Sequence, residues 1–440
     1  MSNDRNSDFV LRTSPRPRRA ALTPARTVLD NGAVLLCKPT HTTPAVAIAL
    51  TLRAGSIADP PGGAGMTWLL SRVVDRGTAT RAAADIAEEL DSRGITLTVL
   101  VTRHTLTLGC RCLADDFEPV LALLGDIVMS PSLPEDEIAT RKGEVITSIR
   151  QDEDNPAIRA TETLMALLYP DGHPYGRRTK GSVDVVEQLT RDQLAGLHDQ
   201  YFAPGVLTAV IVGDVEASQA RETTMRVLGG WTKPAPPPLV VPPVVPAPER
   251  RRVVIPMMNK SQADIAYGFT AITRDDPSYY AHWLMNVAFG QYAIGGRLGD
   301  SIRERQGMAY YVSSSLDANV APGPLTIRAG VSPANVDRAV ASIDEEIGRL
   351  LRDGLTPKEL DESRRYLTGS IPRSLETNGA IANFLQVEEF FGLGLDYDAR
   401  LPDLLNAVTL DEVNAAARRS LNPDRATIVI AGPYVDRVVG

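Results

Sequence analysis

The sequence predicts an α+β fold: two homologous α+β domains, each a mixed or antiparallel sheet covered by helices, related by internal duplication and joined by a proline-rich linker. Three observations predict it. A proline-rich segment divides the chain into nearly equal halves, several residues recur at one fixed offset, and strand-like and helix-like segments cluster within each half. A chain of 440 residues is also too long for one ordinary hydrophobic core.

The linker is the segment 231–252, WTKPAPPPLVVPPVVPAPERRR. Its prolines lack a backbone donor and fix φ, so neither a helix nor a central strand is expected there. Such segments act as extended, semi-rigid spacers. We therefore assign residues 1–26 to a disordered, arginine- and proline-rich tail, residues 27–230 to an N-terminal domain, and residues 253–440 to a C-terminal domain.

The duplication is visible as a constant offset of 219 positions between matching residues, for example from position 204 to position 423. The matching residues are Pro204 and Pro423, Thr208 and Thr427, Gly213 and Gly432, Leu106 and Leu325, and Thr107 and Thr326. Chance rarely repeats one offset at two distant places. The halves are therefore two copies of one unit of about 200 residues, a size typical of one domain.

Periodicity places the elements within each unit. In the first half, strands are predicted over 33–37, 46–52, 95–101 and 105–112, and helices over 115–129, 135–153 and 190–200. In the second half, strands are predicted over 264–269, 309–316 and 325–331, and helices begin near Pro333 and Pro357.

Composition excludes several classes of protein. The net charge of -8 and the shortness of the basic runs at 16–19 and 250–252 argue against nucleic acid as a partner. The longest apolar stretches, 45–52 and 239–245, are too short to span a membrane. Three cysteines, Cys37, Cys110 and Cys112, cannot form a disulfide framework and suit a reducing compartment. With no secretory signal at the start, we expect a cytoplasmic protein.

Three segments carry a family resemblance. Residues 29–60, residues 65–78 (GMTWLLSRVVDRGT) and residues 173–182 (HPYGRRTKGS) resemble the pitrilysin/insulinase family of inverzincin metallopeptidases. The similarity runs from about residue 27 to the end of the chain and includes the internal duplication.

In active members of that family the second of these segments is a helix with H-x-x-E-H, whose two histidines bind zinc while the glutamate acts on the bound water. The resemblance places Trp68 and Arg72 at the histidine positions and Ser71 at the glutamate position. A further zinc-binding glutamate of the family falls on or beside Ser148. Indole and guanidinium groups offer a metal no lone pair.

We therefore expect neither a metal site nor a cofactor in this chain, and no catalytic residue. An equally open interpretation of Trp68 and Arg72 is that they pack in the core and form a local salt bridge. The five histidines occur singly, without the i, i+4 spacing of a zinc pair.

A second signature is retained. Residues 295–315, GGRLGDSIRERQGMAYYVSSS, resemble a family segment in which an arginine and a tyrosine stand seven positions apart, and Arg303 and Tyr310 have that spacing. The resemblance implies that this pair binds the substrate backbone and stabilises the oxyanion. We expect both side chains beyond a helix end, on the strand that follows, with Tyr311 on the opposite face of that strand. Surface packing is the alternative for the pair.

Together these features predict the non-catalytic, substrate-binding subunit of a heterodimeric zinc metalloendopeptidase. Its partner is expected to be a homologous subunit that bears H-x-x-E-H and the zinc, and its substrate an unfolded peptide held in an enclosed chamber. The alternative is a purely structural homologue, comparable to the core subunits of respiratory complexes that resemble this family. A self-sufficient peptidase with a different metal site is disfavoured because the ligands are missing.

Overall fold

The structure, a computed structural model, describes residues 21–291 and 296–436. Each half of the chain contributes one β-sheet, and helices cover both sheets. The predicted α+β class is confirmed. Within the described residues, no helix is both long enough and apolar enough to cross a membrane.

The first half forms a six-stranded sheet in the order β1-β2-β6-β3-β5-β4, in which only β2 and β6 run parallel. The strands are β1 (Ala25–Val28), β2 (Val34–Pro39), β3 (Ala45–Leu52), β4 (Thr98–Val101), β5 (Leu106–Leu113) and β6 (Leu207–Gly213). The helices are α1 (Met66–Val73), α2 (Ala83–Asp91), α3 (Phe117–Met129), α4 (Glu135–Glu153), α5 (Pro156–Leu168), α6 (Val183–Gln188), α7 (Arg191–Tyr201) and α8 (Ala217–Leu228).

The second half forms a five-stranded sheet in the order β7-β11-β8-β10-β9. The strands are β7 (Arg251–Pro256), β8 (Ala263–Thr270), β9 (Ala309–Leu316), β10 (Pro324–Val331) and β11 (Thr427–Gly432). The helices are α9 (Tyr279–Asn286), α10 (Val336–Asp353), α11 (Pro357–Ser370), α12 (Asn378–Phe391), α13 (Tyr397–Ala407) and α14 (Leu410–Ser420). Two further segments, Val287–Gln291 and Gly299–Arg305, are wound as π-helix.

The two sheets repeat one topology. Apart from β1, the order β2-β6-β3-β5-β4 corresponds to β7-β11-β8-β10-β9, and β7 pairs with β11 in parallel as β2 does with β6. The helix before the last strand is also capped alike in both halves. Thr190 and Gln193 exchange side-chain and backbone hydrogen bonds at the start of α7, and Thr409 and Glu412 do so at the start of α14. The constant offset in the sequence is therefore a duplication of structure.

The two halves exchange helices. α5, from the first half, packs on β8 and β11, while α12, from the second half, packs on β3 and β6. Leu164 of α5 is fully buried in a cluster with Ala266 and Val429, and Leu385 of α12 is equally buried. Each sheet thus buries part of its apolar face under a helix from the other half, which joins the halves independently of the linker.

The linker lies against the first half. Residues 231–250 contain neither helix nor strand, and β7 begins at Arg251, at the edge of its sheet. Val241 and Val244 pack against the cluster around α5, and the carbonyl of Pro242 accepts a hydrogen bond from His173 Nε2 at 2.9 Å. The segment is therefore a strap along the surface, which its extended conformation allows.

The N-terminal tail ends earlier than predicted. β1 begins at Ala25, and Leu22 is buried, with its N–H donating to Asp398 Oδ2 at 2.9 Å. The contact lies between distant parts of the chain, so local sequence does not show it. Residues 1–20 of the predicted tail lie outside the described residues.

Candidate functional site

The helix with the altered metal motif is α1, and its start is fixed by Asp59. The Asp59 carboxylate accepts hydrogen bonds from the backbone N–H groups of Gly65, at 2.8 Å, and Thr67, at 2.7 Å. The positive end of the helix dipole favours a carboxylate there. Arg177 donates to the Asp59 carbonyl at 2.8 Å and so joins the 173–182 segment to α1. Sequence reasoning missed Asp59, whose only signal is an acidic residue shortly before a helix.

Along α1, Arg72 and Ser71 both contact Trp68, Arg72 through the indole ring and Ser71 through the backbone carbonyl. The Arg72 guanidinium lies over the Trp68 ring, 4.6 Å from its centroid, within the range of a cation–π interaction. The Ser71 hydroxyl donates to the Trp68 carbonyl at 2.7 Å. Trp68 is only partly buried, at the margin of the first hydrophobic core. The Arg72 guanidinium is thus engaged by the indole ring.

Ser148, on α4, reaches the same cluster through a residue that the sequence did not suggest. Lys180 Nζ donates to Ser148 Oγ at 2.8 Å and to Asp152 Oδ2 at 2.5 Å, and lies 5.8 Å from the centroid of the Trp68 ring. Thr147, the neighbouring candidate, is exposed and bonds back to Gly143. The structure therefore brings Trp68, Ser71, Arg72 and Ser148 into one place and adds Lys180.

This cluster does not fit a zinc ion. The motif positions and Lys180 supply an indole, two hydroxyls, a guanidinium and an ammonium, none of which is an anionic or imidazole ligand for zinc. The carboxylate of Asp152 beside them is paired with Lys180. A cavity of about 200 Å³ beside Trp68 is lined by more cationic than anionic side chains. They are Arg103, Arg177, Arg178, Lys180, Asp152 and Glu162. Among the described residues, no three His, Cys, Asp or Glu side chains are grouped so as to hold a metal.

The five histidines are separately engaged. His104 Nε2 lies 2.6 Å from the Tyr175 hydroxyl, His173 and His198 bond to backbone carbonyls, and His282 contacts Ser278 and Ser420. His41 is exposed and lies 2.7 Å from Asp214.

The arginine-tyrosine segment forms the turn into β9, whose outer edge is free of any strand partner among the described residues. We expected Arg303 on the strand, but it lies within the π-helical segment Gly299–Arg305 that precedes the strand. Its guanidinium is about one-third exposed and pairs with Glu304 at 2.8 Å. Tyr310 is on β9 and is 69% exposed. Both side chains are accessible from solvent, with Gly307 in the turn between them at φ 60°.

Tyr310 owes its exposure to a β-bulge. Opposite β10, Ala309 pairs with Val331 and Tyr311 pairs with Gly330, so Tyr310 is the extra residue of the ladder. Regular alternation would place it on the face of Val312, which is buried. The bulge turns it out instead, as bulges commonly re-aim a side chain. Tyr311 is half-buried and donates to Asp264 Oδ1 at 2.6 Å.

Comparison with known proteins agrees with this architecture. Residues 34–179 match the family described as Insulinase (Peptidase family M16), and residues 188–367 match the Peptidase M16 inactive domain.

The chain belongs to peptidase family M16. An M16 relative from Mycobacterium tuberculosis, called an uncharacterized zinc protease, is 26% identical over 431 residues, which cover 96% of each chain. A relative from Helicobacter pylori, called a non-peptidase homolog, is 22% identical and covers 85% of this chain and 86% of its own.

Solved structures show the same M16 fold. The crystal structure of a peptidase M16 inactive domain from Pseudomonas fluorescens superposes with a TM-score of 0.86 at 26% identity, covering 94% of this chain and 99% of that one. The periplasmic protease PqqL from Escherichia coli superposes with a TM-score of 0.77 at 19% identity, and the match covers 98% of this chain but 48% of that one. One M16 chain of this length thus corresponds to half of the longer protein.

Proposed function

We propose that this M16 chain is the non-catalytic, substrate-binding subunit of a heterodimeric zinc metalloendopeptidase. One contrast carries the proposal. The motif face of α1 is occupied by Arg72 and Lys180 around Trp68, whereas Arg303 and Tyr310 stand accessible at a free strand edge. If substrate binding had been lost together with the metal site, two exposed hydrogen-bond donors at this edge would serve no function.

The free edge of β9 supports an extended peptide as the ligand. An edge strand offers unpaired N–H and C=O groups, and a peptide that adds as a further strand is held by its backbone, largely independently of its sequence. At this edge the Arg303 guanidinium and the Tyr310 hydroxyl would donate to peptide carbonyl oxygens.

The proposed partner is a homologous chain with H-x-x-E-H, which would supply the zinc and the water that it activates. The match covers only 48% of the Escherichia coli protease, which supports a second body of similar size beside this one. A cytoplasmic location, predicted from the unpaired cysteines, belongs to this proposal; all three are free and buried.

The test is reconstitution. The chain is mixed with a candidate H-x-x-E-H partner, and cleavage of an unfolded fluorogenic peptide is measured for the mixture and for each chain alone. Cleavage by the mixture only, reduced about 10²-fold or more by Arg303→Ala, is the expected result, because a lost oxyanion donor costs that much. Arg305→Ala is the matched control, since Arg305 lies in the same turn, is 55% exposed and pairs with Asp300.

A non-proteolytic, structural role is the second candidate, favoured by the relative called a non-peptidase homolog. It predicts that the mixture cleaves the peptide no faster than the partner alone does, with or without Arg303→Ala. Equal loss of activity in the Arg303→Ala and Arg305→Ala mixtures would also count against substrate binding, since it would reflect only a disturbed turn.

A further inference from the structure

The Lys180 ammonium occupies the middle of the altered motif. It contacts Ser148 Oγ and Asp152 Oδ2, both on α4, and faces the Trp68 ring on α1. One hydroxyl, one carboxylate and one π-face thus converge on a single cation from two helices. All three are groups that stabilise an ammonium ion.

The backbone fixes Lys180 in this position. Gly65, at the start of α1, and Gly181 both have positive φ, 99° and 78°. A Cβ on Gly65 would overlap the carbonyl of Lys180, and a Cβ on Gly181 would overlap the carbonyl of Ala64. The loop therefore lies directly on the helix start, an approach that only glycine permits. The Lys180 side chain is largely enclosed, with 25% of its surface exposed, and Asp152 is enclosed further, at 16%.

We propose that Lys180 is the internal cation that joins α1 to α4 where a metal-binding relative holds its ion, and that its ammonium excludes a divalent cation from this face. The lysine brings its own positive charge, neutralised by Asp152, so the helices stay joined without a bound ion. A divalent cation placed on the same face would meet this ammonium and the Arg72 guanidinium at short range, where repulsion is weakly screened.

Zinc binding at this face is therefore opposed by the Lys180 ammonium as well as by the loss of the ligands. With imidazole and carboxylate ligands restored at the motif positions, zinc binding stays weakened while Lys180 is present. Removal of the ammonium is the additional requirement for tight binding.

Two variants of the chain test this requirement. Both carry Trp68→His, Ser71→Glu, Arg72→His and Ser148→Glu, and one of them also carries Lys180→Met. After dialysis against a chelator, each is titrated with zinc chloride by isothermal calorimetry. We expect zinc to bind the Lys180→Met protein at least about tenfold more tightly, because a nearby like charge is removed. Equal affinities overturn the inference, and so does absence of binding by both.

A second measurement does not depend on the restored motif. In the natural chain, Lys180→Met should lower the melting temperature by more than Lys260→Met does. Lys260 is the matched control, because its side chain is also 25% exposed and pairs with a single, mostly exposed carboxylate, Asp154. Equal shifts for the two variants would show that Lys180 is an ordinary surface ion pair, which overturns its joining role.

Discussion

Leu164, on α5 of the first half, packs directly onto Gly268, in β8 of the second half. A Cβ added at Gly268 would stand 2.9 Å from Leu164 Cδ2. The glycine therefore makes room in one sheet for a leucine from the other half of the chain. Together with the reverse contact of α12 on β3 and β6, this packing joins each sheet to a helix from the other half.

The first prediction concerns this interlock. Leu164→Ala should lower the free energy of unfolding by about 2–5 kcal/mol, the usual cost of a buried leucine, and the chain should still unfold in a single transition. Leu167→Ala is the control on the same helix, since Leu167 is only partly buried, and should cost less. Calorimetry and urea unfolding measure both. Two separate transitions in the Leu164→Ala protein would mean that the halves fold independently.

The neighbouring tyrosines of β9 should separate activity from stability. Tyr310→Phe removes an exposed hydroxyl, so stability should change by less than about 0.5 kcal/mol, while cleavage by the reconstituted mixture should fall about 10²-fold. Tyr311→Phe should do the reverse, because Tyr311 donates to the buried Asp264. Urea unfolding and peptide cleavage are measured on both proteins. If the two variants changed stability and cleavage to the same extent, the different roles that we assign to Tyr310 and Tyr311 would be wrong.

The Tyr175 hydroxyl makes two hydrogen bonds, one within the first half and one to the second half. It lies 2.6 Å from His104 Nε2 and accepts from the N–H of Ala321 at 3.2 Å. Burial, followed by the charge of Arg103, lowers the pKa of His104 to about 4, so the ring that shares this hydrogen bond with Tyr175 is neutral at neutral pH. Tyr175→Phe should cost about 1–3 kcal/mol in urea unfolding, because buried groups lose their partner. Tyr201→Phe, which removes an exposed contact with Gln200, should be near neutral.

The same histidine predicts an acid sensitivity. Because the pKa of His104 in the folded chain lies below the 6.5 of a free histidine, the unfolded chain binds more protons between these values. The contribution of His104 to stability is therefore present above pH 6.5 and is lost as the pH falls towards 4.

Glu388 should act in the opposite direction. The residue is 1% exposed, and neither carboxylate oxygen has a hydrogen-bond partner of normal geometry within residues 21–291 and 296–436. Burial, followed by the charge of Asp398, raises the pKa of Glu388 from 4.5 to about 8. The charge of Asp396 also raises this pKa, whereas the backbone N–H of Asp398 and the charge of Arg400 lower it. The folded chain thus holds an extra proton in this window, so the Glu388 contribution to stability falls as the pH rises from 4.5 to 8.

Glu388→Gln removes this titration. Comparison with the natural chain by urea unfolding between pH 5 and pH 8 should show the variant gaining relative stability as the pH rises, by at most roughly 1.4 kcal/mol per pH unit. Glu345→Gln, at an exposed position, should show no such trend. A difference between natural chain and Glu388→Gln that is constant across this range would mean that Glu388 is already ionised at pH 5.

Much of the fold followed from sequence because its signals are local or repeated. The strands over 309–316 and 325–331 and the helix over 135–153 lie where periodicity put them, to within one residue. Alternation and helical spacing are properties of neighbouring residues, so they can be read without the tertiary structure. The offset of 219 positions likewise compares the chain with itself.

The candidate site was predicted in part. The motif spacing identified Trp68, Ser71 and Arg72, and the retained segment identified Arg303 and Tyr310. Lys180 and Asp59 were missed, because neither belongs to the spacing of the motif and each acts through a contact made only on folding. The bulge at Tyr310 was missed because it depends on the register of β9 against β10, where one residue decides which face a side chain takes.

By itself, the sequence determined the α+β class, the duplication, the proline-rich linker, and the loss of one signature beside the retention of another. Only the tertiary structure decided that the halves exchange α5 and α12, that Lys180 lies within the altered motif, and that Tyr310 faces solvent. The physical reason is the separation along the chain over which each kind of interaction acts. Periodicity and propensity act between residues close in the chain, whereas close packing and charge pairing act between any groups that folding brings together.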